Sequence, residues 1–106
     1  TSIKQISESL LQITVNSVNS FYLRTNYLEN LNINFDIEVE LTKTDFEDCM
    51  NAGLAYAAEK KAMEYLGKTE HSRFLLKNKL LKKDFNLNYI EKALDYLEEK
   101  RYFINN

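Results

Sequence analysis

The chain has 106 residues, of which 44% are hydrophobic and 28% are charged, enough for one domain or two small subdomains with a packed core. Its formal net charge of −2 gives no overall attraction to nucleic acid, but the charge is unevenly distributed. Residues 1–50 carry three basic and eight acidic side chains, whereas residues 51–106 carry eleven basic and eight acidic ones. A partner that responds to charge would therefore meet two different surfaces.

The cysteine content and the apolar runs limit the class of protein. Cys49 is the single cysteine, which excludes an internal disulfide and indicates a reducing, cytoplasmic setting. No apolar run approaches the roughly 20 residues that a membrane span needs. The first residues, TSIKQISES, are too polar for a signal peptide.

The first part of the chain reads as a β-hairpin. Residues 10–15 (LLQITV) and 20–25 (SFYLRT) are apolar and β-branched enough for two strands, and the polar residues between them suit a turn. Ile3 and Ile6 could form an extra edge strand or a lead-in to the hairpin.

Two further elements are predicted before the first long helix. Asn26 could cap a short helix, NYLENLNI, with Glu29 three residues later. Residues 36–41 (DIEVEL) alternate acidic and apolar side chains, which is typical of a half-exposed strand at the edge of a sheet.

A long helix is predicted from residue 45 to residue 66. Thr44 and Glu47 form a capping box at its start, and its apolar residues recur at intervals of three and four. Gly53 is tolerated within the helix, at a cost of about 1 kcal/mol relative to alanine. Gly67 suits the left-handed residue that ends a helix.

A second, basic helix is predicted from about residue 70 to residue 83. Thr69 can cap its start, and Leu76 and Leu80, four residues apart, share one face. A third helix is predicted from Asn88 to about residue 100, with Glu91 completing a second capping box.

The predicted fold class is therefore mainly α. Residues 44–106 form a three-helix repeat bundle, and residues 1–43 form an N-terminal segment with a small β-hairpin and a short helix. Tyr102, Phe103 and Ile104 make an apolar exit, and an asparagine after them could cap a further helix, which suggests a repeat unit that ends at its border.

The second helix and its flanks supply the candidate contact residues. Six basic side chains stand against one acidic side chain, Glu70, before Asp84. The basic residues are Lys68, Arg73, Lys77, Lys79, Lys82 and Lys83. Such a face is usually solvated, but it can also contact phosphates without sequence preference. Phe74, Tyr65 and Tyr102 are the aromatic residues near it, a weak basis for base stacking.

Catalytic and metal-binding patterns are not evident. His71 is the single histidine, and Ser72 is its neighbour in sequence rather than a residue opposed to it in space. Cys49 falls on the apolar stripe of the long helix, as a small buried residue would. No metal-ligand spacing and no glycine-rich phosphate loop is present. We therefore expect neither an enzyme nor a bound cofactor.

Residues 44–106 resemble the first helical repeat of the RecX family, which regulates the RecA recombinase, and residues 10–43 loosely resemble the segment that precedes this repeat in the family's longer members. The elements YLGKTEHSRFLLKNKLLKKDF and YIEKALDYLEEKRYFIN carry the resemblance. The matching residues are Ala57, Ala62, Tyr65, Leu66, His71, Ser72, Arg73, Leu76, Leu80, Lys82, Phe85, Ile90, Leu94, Leu97, Phe103, Ile104 and Asn105. The chain departs from the family at Asp84, where glycine is common, and at Leu75, where a polar residue is usual.

The resemblance implies a regulatory protein rather than an enzyme. Similar proteins lie in the groove of the RecA filament on single-stranded DNA and limit its ATP hydrolysis and strand exchange, in DNA repair, recombination and the SOS response. The implied partners are the RecA filament and DNA phosphates. The alternative is a nucleic-acid-binding helical module without a recombinase partner.

Overall fold

The computed structural model describes residues 1–29, 37–38 and 40–103. The chain divides into two compact units, Thr1–Leu54 and Ala55–Asn106. The predicted domain division after residue 43 stays a prediction.

The N-terminal unit contains an antiparallel sheet of four strands in the order β3-β2-β1-β4. The strands are β1 (Ser2–Gln5), β2 (Leu10–Val15), β3 (Asn19–Arg24) and β4 (Ile37–Glu38). The predicted hairpin is confirmed as β2 and β3, but it is one part of a larger sheet. The prediction of an edge strand or lead-in near Ile3 is corrected, because β1 pairs with β2 on one side and with β4 on the other.

The centre of one face of this sheet is buried. Ile3 pairs with Ile13 in the register of β1 and β2, and Leu11 pairs with Leu23 across β2 and β3. All four side chains are at most 2% exposed. The alternation of buried and accessible residues along β2 is the period-2 pattern of a strand with one buried face.

The strand predicted at residues 36–41 is confirmed in position but is shorter. Ile37 and Glu38 form β4 at the sheet edge, whereas Glu40 and Leu41 lie outside any strand. Asp36 and Val39 fall outside the described residues.

The short helix predicted at Asn26 is reduced to a 3₁₀ turn. This turn covers Thr25–Tyr27, so Asn26 lies inside it rather than capping it. Tyr27 is buried. The predicted continuation from residue 30 to residue 33 falls outside the described residues.

The hairpin turn places two residues other than glycine in the left-handed region. Asn16 has φ 54° and Ser17 has φ 58°, and the Val18 N–H donates to the Val15 carbonyl at 3.3 Å. Positive φ at both central residues is the feature of a type I′ turn, for which asparagine followed by glycine is favoured.

Replacing Ser17 with glycine should therefore stabilise the protein. We expect the free energy of unfolding to rise by about 0.5–1 kcal/mol, because glycine reaches positive φ without the clash that a Cβ atom causes. Urea denaturation would measure the change. The matched control is Ser20→Gly within β3, which should lower stability because glycine weakens a strand interior; a loss with S17G would contradict the turn assignment.

Helix α1 spans Lys43–Lys68. Its start corrects the predicted cap: the Asp45 N–H donates to Thr42 Oγ1 at 3.1 Å, so Thr42 rather than Thr44 caps the helix. Its end is also corrected, because Gly67 lies within the helix and has no positive φ.

The buried stripe of α1 consists mostly of small side chains. The fully buried members are Cys49, Ala52, Ala55, Ala58 and Ala62. Met50, Leu54 and Ala57, predicted to belong to the apolar stripe, are exposed. The alanine-rich centre of α1 is thus on its buried side.

Helices α2 (Arg73–Lys82) and α3 (Leu87–Glu99) complete the C-terminal unit. Ser72 caps α2 by accepting a hydrogen bond from the Leu75 N–H at 3.2 Å, so the prediction of Thr69 as the cap is wrong. Asn86 caps α3 by accepting from the Asn88 N–H, so the capping box predicted at Asn88 and Glu91 is also wrong.

The three helices enclose one hydrophobic core, which confirms the predicted bundle. Leu76 and Leu80 of α2 are both fully buried, as their spacing predicted. The core consists of Ala62, Leu76, Leu80, Ile90, Leu94, Leu97 and Phe103. None of the described helices is long and apolar enough to cross a membrane.

Helices α2 and α3 end in the same way, at a residue with positive φ. Asp84 has φ 65° and Arg101 has φ 61°. The Asp84 N–H donates to the Leu81 carbonyl, and the Phe85 N–H donates to the Leu80 carbonyl at 3.2 Å. This pair of bonds is the Schellman motif, in which glycine is the usual left-handed residue.

Replacing Asp84 with glycine should raise the free energy of unfolding by about 1 kcal/mol, because the left-handed conformation of a residue with a Cβ atom is strained. Thermal denaturation would show the gain as a higher Tm. Asp84→Ala serves as the control, since it removes the carboxylate but keeps the strain. An equal gain with alanine would show that charge, rather than backbone conformation, determines the effect.

Candidate interaction surface

Helix α2 contains four of the six predicted contact residues and no acidic residue. The other two, Lys68 and Lys83, lie at the last residue of α1 and at the end of α2. The structure separates the six into residues that have partners inside the helical unit and exposed residues that have none among the described residues. Whether any of them contacts another molecule stays a prediction.

Arg73 is held by three carboxylates of α3. Its guanidinium donates to Glu91 Oε2 and Asp95 Oδ1 at 2.7 Å, and to Glu98 Oε1 at 3.0 Å. These acids follow one another at intervals of four and three, so they share one face of the helix. Arg73 therefore connects the first turn of α2 with successive turns of α3 through hydrogen bonds.

The electrostatics of this cluster agree with its geometry. Partial burial lowers the pKa of Arg73, but the hydrogen bonds that Arg73 donates to the three carboxylates outweigh burial and raise this pKa above its ordinary value. The hydrogen bond from Arg73 also holds the pKa of Glu91 below its ordinary value, and Lys77 adds to this effect. Lys77 Nζ lies 3.5 Å from Glu91 Oε1.

Lys79 is directed toward the connection between α1 and α2. Its ammonium lies 2.7 Å from Nε2 of His71 and 5.0 Å from the centroid of the Tyr65 ring. His71 Nδ1 lies 2.9 Å from the Thr69 carbonyl, which can only accept, so Nδ1 carries the proton and Nε2 accepts from Lys79. His71 is 8% exposed, so this network fixes the polar groups of a buried ring.

Lys68, Lys79, Lys82 and Lys83 are the exposed members of the predicted set, and of these Lys79 is held by His71. Lys68, Lys82 and Lys83 form the remaining group. Within the described part of the chain they take part in no ion pair or side-chain hydrogen bond, unlike Arg73, Lys77 and Lys79. An exposed ammonium without a fixed partner can move to meet an anionic group on another molecule. These three lysines are thus better placed for external contact than the other three.

An open cavity of about 450 Å³ lies at the N-terminal end of α2. Its lining mixes apolar and charged residues: Leu66, Glu70, His71, Ser72, Arg101, Tyr102 and Phe103. Ser72 Oγ caps α2, and both ring nitrogens of His71 have neighbours other than Ser72. The arrangement serves the helix junction, and it does not pair a nucleophile with a base.

The reactive and metal-ligating side chains form no metal site in the part of the chain that the structure describes. Among the described residues, no three histidine, cysteine or acidic side chains are close enough to hold a metal ion. Cys49 is fully buried, and burial together with the nearby Asp48 and Asp45 raises the pKa of its thiol to about 11. A buried neutral thiol of this kind is a poor nucleophile.

Three exposed apolar residues of α2 were not recognised together from the sequence. Phe74 was considered only for base stacking and Leu75 only as a departure from the family, and Leu81 was not singled out. The seven-residue interval between Phe74 and Leu81 is the signal that places them on one face, opposite the buried Leu76 and Leu80.

Comparison with known families agrees with this helical arrangement. Residues 58–97 match the family model of the RecX first three-helix domain. The matched range begins within α1, includes all of α2 and ends within α3. No curated protein and no solved structure matches the chain significantly.

Proposed function

Because residues 58–97 match the family model of the RecX first three-helix domain, we propose that this chain is a cytoplasmic regulatory protein of the RecX type that binds the RecA filament and inhibits its ATPase and recombinase activity. The observation that carries the proposal is the match of the three-helix unit to the family's first domain. The intact core of that unit supports it, since the matched helices bury their apolar faces against one another.

The protein acts by non-covalent binding and needs no cofactor. Its exposed cations give it a means to approach the phosphates of single-stranded DNA, and its helices give it a rigid surface for RecA. Inhibition then follows from occupation of a surface that the filament needs for ATP hydrolysis, strand exchange or extension.

The direct test is the rate of ATP hydrolysis by RecA on single-stranded DNA, measured while the chain is titrated in. We expect the rate to fall in a saturable manner with RecA from the same source. A rate that does not change, with a chain whose circular dichroism shows the folded helices, would contradict regulation of RecA. Binding to bare single-stranded DNA under the same conditions, without any effect on RecA, would instead favour a nucleic-acid-binding module.

The exposed lysines provide a more specific prediction. Lys82→Glu combined with Lys83→Glu should weaken binding to the RecA filament about tenfold, because it replaces two exposed cations, which we propose meet anionic groups of the filament, with negative charges. Lys4→Glu combined with Lys43→Glu is the matched control, since it makes the same change in net charge at exposed residues of the other unit.

The binding assay should use fluorescence anisotropy at two salt concentrations. If the lysines contact phosphates, the double variant should also show a smaller dependence of affinity on salt. Equal weakening by the control pair would mean that net charge alone accounts for the effect.

A further inference from the structure

The outward side of α2 is unusually apolar for an exposed helix. Phe74 is 70% exposed, Leu75 is 49% exposed and Leu81 is 42% exposed. At 100° per residue the three side chains fall within about 120° of one another around the helix. We call this surface the apolar α2 face and define it by Phe74, Leu75 and Leu81.

This face is separate from the contacts that hold the bundle together. The core side of α2 is already filled by Leu76 and Leu80, and Arg73 and Lys77 are occupied by carboxylates of α3. Burial of Phe74, Leu75 and Leu81 is therefore not part of how this unit is stabilised. Three large apolar side chains together on an exposed helix commonly mark a binding surface.

The charges around the face indicate what it contacts. Helix α2 has cations within and beyond the face, including the exposed Lys82 and Lys83, and it has no acidic residue. A second copy packed symmetrically against the same face would set these cations against one another, which is unfavourable. Charge complementarity requires a partner with carboxylates around an apolar pocket.

The chemistry of the side chains favours a protein over a nucleic acid. Surfaces that bind single-stranded DNA stack bases on aromatic rings, but two of the three residues here are leucines. Apolar anchors surrounded by charged residues are instead the usual arrangement of a protein–protein interface.

We propose that the apolar α2 face is the docking surface for a protein partner that presents an apolar pocket bordered by carboxylates. The proposal rests on the proposed function in naming that partner as the RecA filament. Phe74 is the central anchor, Leu75 and Leu81 extend the apolar contact, and Lys82 and Lys83 pair with the acidic border.

The test compares the 106-residue chain with the double variant Phe74→Ser, Leu81→Ser. Both changes lie at exposed positions, so circular dichroism and Tm should stay close to those of the unchanged chain. Affinity for RecA filaments assembled on single-stranded DNA would be measured by anisotropy of a label at the N-terminus. We expect at least about a tenfold loss of affinity, as for truncation of interface anchors.

The matched control is Val18→Ser, which removes an apolar side chain that is 82% exposed in the β-hairpin. It should leave the affinity unchanged. Bare single-stranded DNA of the same length is titrated in parallel, and the double variant should bind it as the unchanged chain does.

The outcomes separate this inference from the proposed function. If the unchanged chain binds the filament and the double variant binds equally well, the docking surface is overturned while regulation of RecA stands. If the double variant loses affinity for bare DNA in the same proportion, the face contacts nucleic acid and the protein interface is overturned. If the unchanged chain does not bind the filament, the proposed function and the inference fall together.

Discussion

Replacing Arg73 with methionine is expected to lower the free energy of unfolding by about 2 kcal/mol. The side chain of Arg73 is only 19% exposed, and it is the shared partner of Glu91, Asp95 and Glu98. Methionine keeps much of the aliphatic packing but leaves three carboxylates on one face of α3, where like charges at such intervals repel. The loss exceeds that of an ordinary surface ion pair because several charges share one partly buried partner.

Two further variants show whether the geometry of the guanidinium matters. Arg73→Lys should recover about half of the lost free energy of unfolding. An ammonium keeps the positive charge, but it lacks the planar set of N–H donors with which a guanidinium binds three carboxylates at once. Lys77→Met is the matched control: its single ion pair at 3.5 Å is more exposed, so the change should be about 0.5 kcal/mol or less. A loss of equal size for Lys77 would contradict the special role of Arg73.

The pH dependence of stability provides an independent check. Arg73 lowers the pKa of Glu91 in the folded protein, so the resulting stabilisation is fully present above the unfolded pKa of about 4.3 and is lost as the pH falls through the folded pKa. The unchanged protein should therefore lose stability below about pH 4.3. Arg73→Met should show a flatter profile there, because the hydrogen bond that lowers the pKa of Glu91 is then removed.

Replacing Gly53 with leucine is expected to lower the free energy of unfolding by about 3 kcal/mol, although leucine is the better helix former. A Cβ atom built at Gly53 would lie 2.8 Å from Cδ2 and 3.1 Å from Cε2 of the Phe21 ring, and 3.6 Å from the Tyr22 carbonyl oxygen. The absence of a side chain at Gly53 thus lets α1 approach β3. A larger residue must displace both the ring and the strand.

A double-mutant cycle with alanine separates packing from helix propensity. Gly53→Ala alone should be destabilising, because the contact with Phe21 outweighs the gain of about 1 kcal/mol in propensity. In a Phe21→Ala background the same substitution should become stabilising, since the ring is no longer there. Gly67→Ala is the control: nothing lies within 4 Å of its Cβ position, so it should stabilise the protein in either background.

The sequence predicted the elements better than their ends. Local patterns of apolar residues were enough to predict several elements. These are the strands at residues 10–15 and near residue 20, the three helices, and the buried pair Leu76 and Leu80. Such patterns do not predict the caps, because Thr69 and Ser72 are both capable of starting α2 by their chemistry. The choice of Ser72 coincides with burial of His71 between Thr69 and Lys79, which is a tertiary effect.

The candidate surface also depends on tertiary contacts that local sequence patterns do not reveal. The sequence identified six cations, but it could not show that Arg73 meets carboxylates of a helix about twenty residues later. Glu91 was read as a cap because it stands three residues after Asn88, and it is instead a partner of Arg73. Local spacing therefore predicted the composition of the surface. Only tertiary contacts, with α3 for Arg73 and Lys77 and with His71 for Lys79, distinguish the cations that have partners from those that have none.

The buried thiol of Cys49 is a built-in probe for transient opening of the N-terminal unit, because its rate of labelling measures how often that unit opens. The side chain is inaccessible, and a pKa of about 11 keeps it protonated at neutral pH, so a thiol reagent can react only during transient exposure. Because the chain has a single cysteine, the labelling rate reports one event without interference. The lifetime of the β-sheet unit can thus be timed separately from that of the three-helix unit, in the free protein and in the presence of a partner.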